Sequence, residues 1–368
     1  MTETYLVKLR PHSHYYFGGE YGLGEGDRRN YLVFSRQWPQ QTTLLGMVRY
    51  RLLQAKGWLA EPGKPIPDKE AAASLIGEKG FRLPTEEQGL KNPQDFGVIK
   101  KLSPIFLMKK DESYLRAYPA SALDASPIPK ASIWRGGSQE AFQAAYVLKD
   151  FDPKKGLSQK LYGQTSGDCL KSGEPFQEEP QIGIHKHGTE QAFYKQTFYR
   201  MAQDWTFAFY LTVEDCEVNL AESVAIPFGG EKCLFQWQAT RLEAGLPSEL
   251  SFSYPSADGA AESLPPKEKI LLLSDAWVPH EVLAQCDFAI TQTVDFRFLQ
   301  TNLKKTTSYA EISQGEQKDG IISKSGKYSL IAAGSVLFPK AAQPAEVQGK
   351  LGLARFQQIG YNHFQLLK

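Results

Sequence analysis

Four segments of this sequence place glycine beside aromatic or basic residues, a combination suited to binding an anion. They are FGGE (17–20), PFGGEK (227–232), AAGSVLF (332–338) and GKLGLARFQQIGYNHF (349–364). Glycine lets a backbone approach a phosphate closely, and exposed backbone N–H groups bind anions. Aromatic rings can stack on unpaired bases. Each segment alone reads as an ordinary turn beside core aromatics, but the four together favour binding of single-stranded RNA.

Two histidine pairs are the candidates for metal binding. His12 and His14, like His185 and His187, are two residues apart and would face the same side of a strand. No third ligand stands at a suitable spacing, so RNA contacts or solvated loops are the favoured interpretation. The sequence therefore predicts no metal and no cofactor.

The motifs of the common enzyme classes are missing. There is no G-x-S-x-G turn, and Cys169 and Ser335 lack a histidine and an orienting carboxylate in any known pattern. The stretch GLGEGDRRN has neither the Gly-Lys-Ser/Thr of a P-loop nor the Rossmann spacing of glycines. Because carboxylates far apart in sequence can meet in space, acid–base chemistry stays open. The prediction is nevertheless a binding protein and not an enzyme.

The composition sets the remaining bounds. The 368 residues include 42 Lys+Arg and 41 Asp+Glu, whereas a lone nucleic-acid-binding protein is usually more basic. An excess of Lys and Arg in the first 60 residues allows the basic residues to be segregated onto one face. Four cysteines without a C-x-x-C pair favour neither zinc nor disulfides. The chain has no signal-like start and no apolar run of membrane-spanning length, which predicts a cytoplasmic protein with no membrane partner.

The elements that position these segments begin with a strand, a glycine-rich loop and a helix. Thr4–Leu9 alternates like a strand, and the helix is predicted to begin at Thr42 or Thr43 and to stop near Gly57. Residues 58–145 are rich in proline and are predicted to be an insertion of short helices and loops. Further strands are predicted at Trp205–Glu214 and 233–240.

The second half repeats this order at low resolution. Strands are predicted within 268–278, 288–300 and 328–338 and in the terminal GYNHFQLL, with a short helix at HEVLAQC. The predicted fold is α+β, with two ferredoxin-like (RRM-like) domains. They would span 1–245, including the insertion, and 246–368. The four-stranded sheet of such a domain is a known RNA platform.

At these residues the sequence resembles the RAMP superfamily of CRISPR-associated proteins, most closely the third subunit of the type III-B (Cmr) effector complex. The resemblance is carried by PQQTTLLGMVRYRLL (39–53), by 181–201, and by PFGGEK, AAGSVLF and GYNHF. It does not extend to residues 58–145. His185–His187 stand where the family often has an acidic residue and an arginine, and Lys232 stands where it often has arginine. These departures leave the equivalent subunit of a type III-A (Csm) or type III-D complex as an alternative.

The resemblance implies a non-catalytic subunit of an RNA-guided effector in antiviral defence. Such a subunit holds the 5′ repeat-derived tag of the guide RNA and docks the large polymerase-like subunit and the first backbone RAMP subunit. The residues expected to bind RNA on this basis are Gly18, Gly19, Arg28, Arg29, Arg49, His185, Lys186, His187, Gly229, Gly230, Lys232, Gly334 and Ser335.

Two other functions remain open from the sequence. One is a guide-processing ribonuclease of the same superfamily, with His14 or His185 as the general base. The other is a purely structural assembly protein whose near-zero net charge reflects protein interfaces.

Overall fold

Alternating apolar residues near both ends of the chain form the strands around which the fold is built. A computed structural model describes residues 1–18, 30–59, 66–118, 131–135, 138–142, 158–184, 193–243, 250–252, 268–303, 322–340 and 343–367. The helices are α1 Gln41–Ala55, α2 Lys69–Ile76, α3 His280–Ala284, α4 Pro344–Leu351 and α5 Ala354–Gln357, with a 3₁₀ helix at Glu87–Lys91. No helix among these residues is long and apolar enough to cross a membrane.

Short strands make up most of the rest. In chain order they are β1 Thr2–Pro11, β2 His14–Tyr15, β3 Phe17–Gly18, β4 Asn30–Arg36, β5 Ile99–Leu102, β6 Phe106–Lys109, β7 Glu112–Ala117, β8 Ala131–Arg135, β9 Ser138–Phe142, β10 Lys160–Gly163, β11 Cys169–Lys171, β12 Phe176–Ile184, β13 Phe193–Met201, β14 Trp205–Glu214, β15 Val224–Pro227, β16 Leu234–Arg241, β17 Lys269–Leu272, β18 Cys286–Ile290, β19 Thr293–Phe296, β20 Leu299–Thr301, β21 Ile322–Lys324, β22 Tyr328–Ile331, β23 Val336–Pro339 and β24 Phe364–Leu367.

The largest sheet surrounds β1, which pairs antiparallel with β14 on one side and β16 on the other. Its strand order is β11-β10-β7-β6-β14-β1-β16-β15, with β5 also paired to β14. The apolar side chains of β1 alternate as predicted, with Tyr5, Val7 and Leu9 buried. They pack beneath α1, whose Leu44 and Val48 are fully buried at helical spacing.

Of the smaller sheets among the described residues, two have more than two strands, and the pairs β8-β9, β19-β22 and β20-β21 form two-stranded sheets. The sheet β12-β13-β4-β3, with β2 paired to β13, contains the long β12–β13 hairpin and the parallel pair β13–β4. The carboxyl-terminal sheet has the order β18-β23-β17-β24, and all its neighbouring strands are antiparallel. The chain is thus a mixed fold of mainly antiparallel sheets with few helices, as the predicted α+β class requires.

The two main sheets pack face to face. Phe106 and Ala208 of the largest sheet lie in one apolar cluster with Leu271, Val336 and Phe338 of the carboxyl-terminal sheet. The opposite face of the carboxyl-terminal sheet is covered by α3 and α4, through a cluster that includes Val282, Val347 and Leu351. Both faces of this sheet are therefore buried, and the expected use of an open four-stranded sheet as a base-stacking platform is wrong for this half.

Residues 58–145 differ most from the prediction. Instead of only short helices and loops, they supply β5, β6 and β7, which pair with β14 and with each other inside the largest sheet. Pro104 lies between β5 and β6, and so interrupts the chain without breaking a strand. The helix α1 also starts earlier than predicted, since its N-cap is Gln40 and not Thr42 or Thr43.

Candidate nucleic-acid interface

The PFGGEK segment forms a tight turn between β15 and β16, here called the outer turn (228–233), that rests on the backbone of Tyr16. The Gly230 N–H donates to the Tyr16 carbonyl oxygen at 2.8 Å. A Cβ atom on Gly229 would lie 2.4 Å from that same oxygen, and Gly229 has φ +88°. Only glycine meets both conditions, so these glycines hold the outer turn against the chain's first strands.

The exposed part of the outer turn is conformationally strained. Glu231 and Lys232 have φ of 53° and 56°, and the Cys233 N–H donates to the Gly230 carbonyl at 3.2 Å. This is the arrangement of a type I′ turn, whose central positions normally favour Asn-Gly. Both side chains are exposed, whereas burial raises the pKa of the Cys233 thiol just behind them. Residues in such strained conformations cluster at functional sites, which makes the outer turn a candidate binding site.

Two of the predicted RNA-binding segments meet at this place. Tyr16, on which the outer turn rests, is followed by β3, whose Gly18 is exposed; a Cβ there would lie 3.8 Å from Tyr16 Cε1, an ordinary contact distance. The aromatic residues of the two segments face inward: Phe17 and Phe228 are buried, with ring centroids 5.0 Å apart. Backbone groups, the Lys232 ammonium and the neighbouring Glu231 carboxylate, and not stacked rings, are therefore what this surface offers to a ligand.

The third segment, AAGSVLF, lies inside the fold. Its turn at 332–335, here called the inner turn, brings Gly334 so close to β7 that a Cβ would lie 2.9 Å from the Ala117 Cα. The Gly334 N–H donates to the Leu272 carbonyl oxygen, and Ser335 is fully buried. The expected contact of Gly334 and Ser335 with RNA is thus wrong, because the close approach that glycine permits is to the chain's own backbone.

Arg49 is also used within the fold. Its guanidinium donates to the carbonyl oxygens of Ile76 at 3.0 Å and Gly77 at 2.9 Å, and it lies 3.5 Å from the Thr301 hydroxyl. Burial lowers the pKa of Arg49 to about 10, so it stays charged at neutral pH. These contacts fasten α1 to the end of α2 and argue against the predicted role in RNA binding.

The remaining predicted residues lie outside the described part of the chain. They are Gly19, Arg28, Arg29, His185, Lys186 and His187. The segments that contain them leave the described fold at Gly18, next to the outer turn, and at the end of β12. Their predicted roles stay predictions.

No described residues form a cluster of three potential metal ligands. His14 instead lies beside a carboxylate, with its Nδ1 3.6 Å from Glu179 Oε1. Arg200 donates to the other oxygen of Glu179 at 3.0 and 3.2 Å. The His14 ring also contacts Phe198 edge-on, with centroids 4.7 Å apart. This arrangement orients the imidazole and leaves a third of it exposed.

A basic row that sequence reasoning did not single out lies on β1. Lys8 and Arg10 alternate with the buried Val7 and Leu9, and His12 follows directly after the strand. Arg10 and His12 are exposed, and Lys8 is half-buried. The alternation of basic and apolar residues in the sequence of β1 could have predicted this row, because alternate side chains of a strand lie on the same face, here the one opposite the α1 core.

Comparison with known proteins identifies the family. A model of the family "CRISPR-associated protein (Cas_Cmr3)" matches residues 8–368. A search of curated proteins found no match. Among solved structures, the chain is similar to one in "Cryo-EM structure of the Type III-B Cmr-beta bound to cognate target RNA", with 13% identity, a TM-score of 0.49 and coverage of 98% of this chain and 96% of that one.

A second similar chain comes from "Crystal structure of Csm3-Csm4 subcomplex in the type III-A CRISPR-Cas interference complex". It shares 11% identity with a TM-score of 0.34, over 91% of this chain and 92% of that one. The assignment rests on the family model, which covers nearly the whole sequence and confirms the resemblance seen in its motifs. The chain belongs to the Cas_Cmr3 family of CRISPR-associated proteins.

Proposed function

We propose that this chain is a non-catalytic subunit of a type III CRISPR effector, that it binds the 5′ tag of the guide RNA, and that it docks the large polymerase-like subunit and the first backbone RAMP subunit. Membership of the Cas_Cmr3 family supports a place in such an effector. The type III-A and type III-D equivalents are the nearest alternatives.

The observation that carries the RNA-binding part is the meeting of two glycine segments at Tyr16. Gly229 and Gly230 hold the outer turn against Tyr16, Gly18 is exposed beside it, and Lys232 is exposed on the turn itself. Backbone groups held in place beside an exposed ammonium group are suited to binding a phosphate.

We also propose that both halves of the chain are ferredoxin-like domains, divided near residue 245. The carboxyl-terminal elements follow the order β17, α3, β18, β23, α4, β24, with sheet order β24-β17-β23-β18. The strands β16-β1-β14-β6 of the largest sheet repeat this order, with α1 between β1 and β6. This correspondence in strand order and first helix supports a duplicated ferredoxin-like unit, in which the first half has β15 and turns where the second half has α4. Cooperative unfolding of residues 246–368 expressed alone would support the boundary.

The test is to purify the affinity-tagged protein from its native host and sequence the RNA that accompanies it. We expect short RNAs that share one 5′ repeat-derived tag, together with a ladder of partner subunits. Recovery of a monomer free of nucleic acid would contradict the proposal. Partner subunits without any protein–RNA cross-link would instead favour a purely structural role.

Two variants make this test specific to the outer turn. Lys232→Gln is expected to reduce the slope of log K against log salt for tag RNA by about 0.7, the value for one phosphate contact on a single strand. The matched control is Lys171→Gln, because Lys171 is exposed on β11 at the opposite edge of the same sheet. An equal slope for the two variants would remove Lys232 from the RNA path.

A guide-processing ribonuclease is the second candidate, and the His14–Glu179 contact is the observation that favours it. A histidine oriented by a carboxylate is a common general base for deprotonating a hydroxyl. Incubation of the purified protein with repeat RNA distinguishes the two functions. Site-specific cuts that His14→Ala abolishes would establish the nuclease, and intact RNA would leave the non-catalytic role in place.

A further inference from the structure

The face of the largest sheet that packs on the carboxyl-terminal sheet is only partly covered. Phe106 and Ala208, on β6 and β14, lie in the apolar cluster between the sheets. By strand alternation the same face continues across β1 and β16 to the edge strand β15. There, Gln238 and Thr240 are exposed rather than packed. The uncovered part thus begins where the apolar residues end.

Among the residues that the structure describes, this uncovered part carries basic side chains and no acidic one. Lys8 and Arg10 supply positive charge on β1, and the facing positions of β16 carry Gln236 and Gln238. Among the described residues, neither Lys8 nor Arg10 has an ion-pair partner. Leu6, which alternates with Lys8 on β1, still packs against the apolar cluster. Beyond it no Asp or Glu stands at the alternating positions, which are Thr4, Lys8 and Arg10 on β1, Leu234, Gln236, Gln238 and Thr240 on β16, and Ala225 and Pro227 on β15. We call this surface the basic face.

The spacing of the charges suits an extended polyanion. Alternate residues on a strand are about 6.6 Å apart, so Lys8 and Arg10 are separated by that distance along β1, and His12 follows just after the strand ends. Successive phosphates of an extended single strand are separated by a similar distance. Amide side chains such as Gln238 can donate hydrogen bonds to phosphate or sugar oxygens without selecting a base.

The basic face also adjoins the outer turn. The His12 N–H donates to the Leu234 carbonyl oxygen at 3.0 Å, and Leu234 follows the outer turn directly in sequence as the first residue of β16. A strand of RNA held at Lys232 could therefore continue along β1 without leaving the protein. A protein partner would be expected to cover apolar side chains, and this face exposes only Leu234 among its large apolar residues.

We infer that the basic face binds the phosphate backbone of a single-stranded RNA segment next to the one held at the outer turn, without reading its sequence. The inference rests on the proposed function, because it assumes that the neighbouring RNA segment is held at the outer turn. The binding to the basic face that it predicts does not depend on the tag sequence. The phosphates bind by charge and hydrogen bonding alone, and no covalent step is involved.

The test measures binding of the full chain to a tag-bearing RNA and to a scrambled RNA of equal length across a salt series. The double variant Lys8→Gln/Arg10→Gln loses two phosphate contacts. The slope of log K against log salt should therefore become shallower by about 1.4 with both RNAs. The affinity loss should reach about 25-fold at 0.1 M salt and vanish toward 1 M. The charge-retaining Lys8→Arg/Arg10→Lys protein should keep the wild-type slope, and Lys171→Gln/Lys160→Gln provides the control with equal charge loss.

Three results of this experiment would overturn the inference. A slope equal to that of the control variant would overturn the inference, and so would a loss confined to tag-bearing RNA, because the face would then belong to the tag site. Loss of a co-purifying protein with an unchanged slope would assign the face to a protein partner and also overturn it. If the wild-type protein binds tag RNA no more tightly than scrambled RNA, the proposed tag-binding function is contradicted. The inference about the basic face is still tested in that case, because it depends on the change in salt slope measured with scrambled RNA.

Discussion

The outer and inner turns use glycine in the same way but have opposite surroundings. Gly229 and Gly334 have φ of 88° and 84°, and a Cβ on either would collide with the backbone of a distant segment. The difference lies in the next residues: Lys232 is exposed, whereas Ser335 is fully buried. A glycine with positive φ therefore identifies a close approach between backbones, and its neighbours decide whether a ligand can take part.

The sharpest test of this comparison is Gly334→Ala. The new Cβ would lie 2.9 Å from the Ala117 Cα and 3.0 Å from the Arg116 carbonyl oxygen, in the packed contact between the two main sheets. Left-handed strain and overpacking together should lower the free energy of unfolding by about 3 kcal/mol. Chemical denaturation measures the loss, and RNA affinity of the folded protein should not change.

The control for this substitution is Gly349→Ala. Gly349 lies in α4 with nothing near its Cβ position, so alanine there should raise stability by about 0.5 kcal/mol or more. Equal stability of the two variants would mean that the inner turn can move away from β7, and the comparison with the outer turn would fail.

A smaller effect on stability is expected for Gly229→Ala. The Cβ would collide with the Tyr16 carbonyl oxygen, but the outer turn borders solvent and can shift. We expect a loss of about 2 kcal/mol in the free energy of unfolding. Because the shift displaces Lys232, RNA affinity should fall as well, which fluorescence anisotropy can follow. Gly18→Ala, whose Cβ would lie at an ordinary contact distance of 3.8 Å from Tyr16 Cε1, should change stability by less than about 0.5 kcal/mol. Unchanged RNA affinity in Gly229→Ala would separate the outer turn from binding.

The sequence predicted secondary structure best where the spacing of apolar residues and the residue types indicate the same element. β1 was predicted from alternation, β14 from its continuous apolar run and α1 from helical spacing, and all three appear close to their expected bounds. The residues 58–145 were misjudged because their prolines suggested loops, whereas β5, β6 and β7 are short strands stabilised by pairing with β14 and with one another. Such pairing depends on segments far apart in sequence, which no local pattern reveals.

The residues of the candidate site likewise differ in how well the sequence predicted them. Lys232 was predicted from its glycine neighbours, and its exposure agrees with a binding role. Arg49 was misassigned because its partners, Ile76 and Gly77, lie in the segment whose structure was not foreseen. Lys8 and Arg10 were missed although their alternation with Val7 and Leu9 was visible, since the strand was read for its buried side only.

A smaller effect than for either turn glycine, and of opposite sign, is expected for Ser335→Ala. The Ser335 hydroxyl is buried and has no hydrogen-bond partner among the described residues. Removing an unsatisfied buried hydroxyl should raise the free energy of unfolding by about 1 kcal/mol. A thermal melt and a denaturant titration measure the gain, and RNA affinity should stay at the wild-type value. A drop in RNA affinity at unchanged stability would instead return Ser335 to the RNA path, because a purely internal hydroxyl has no means of contacting RNA.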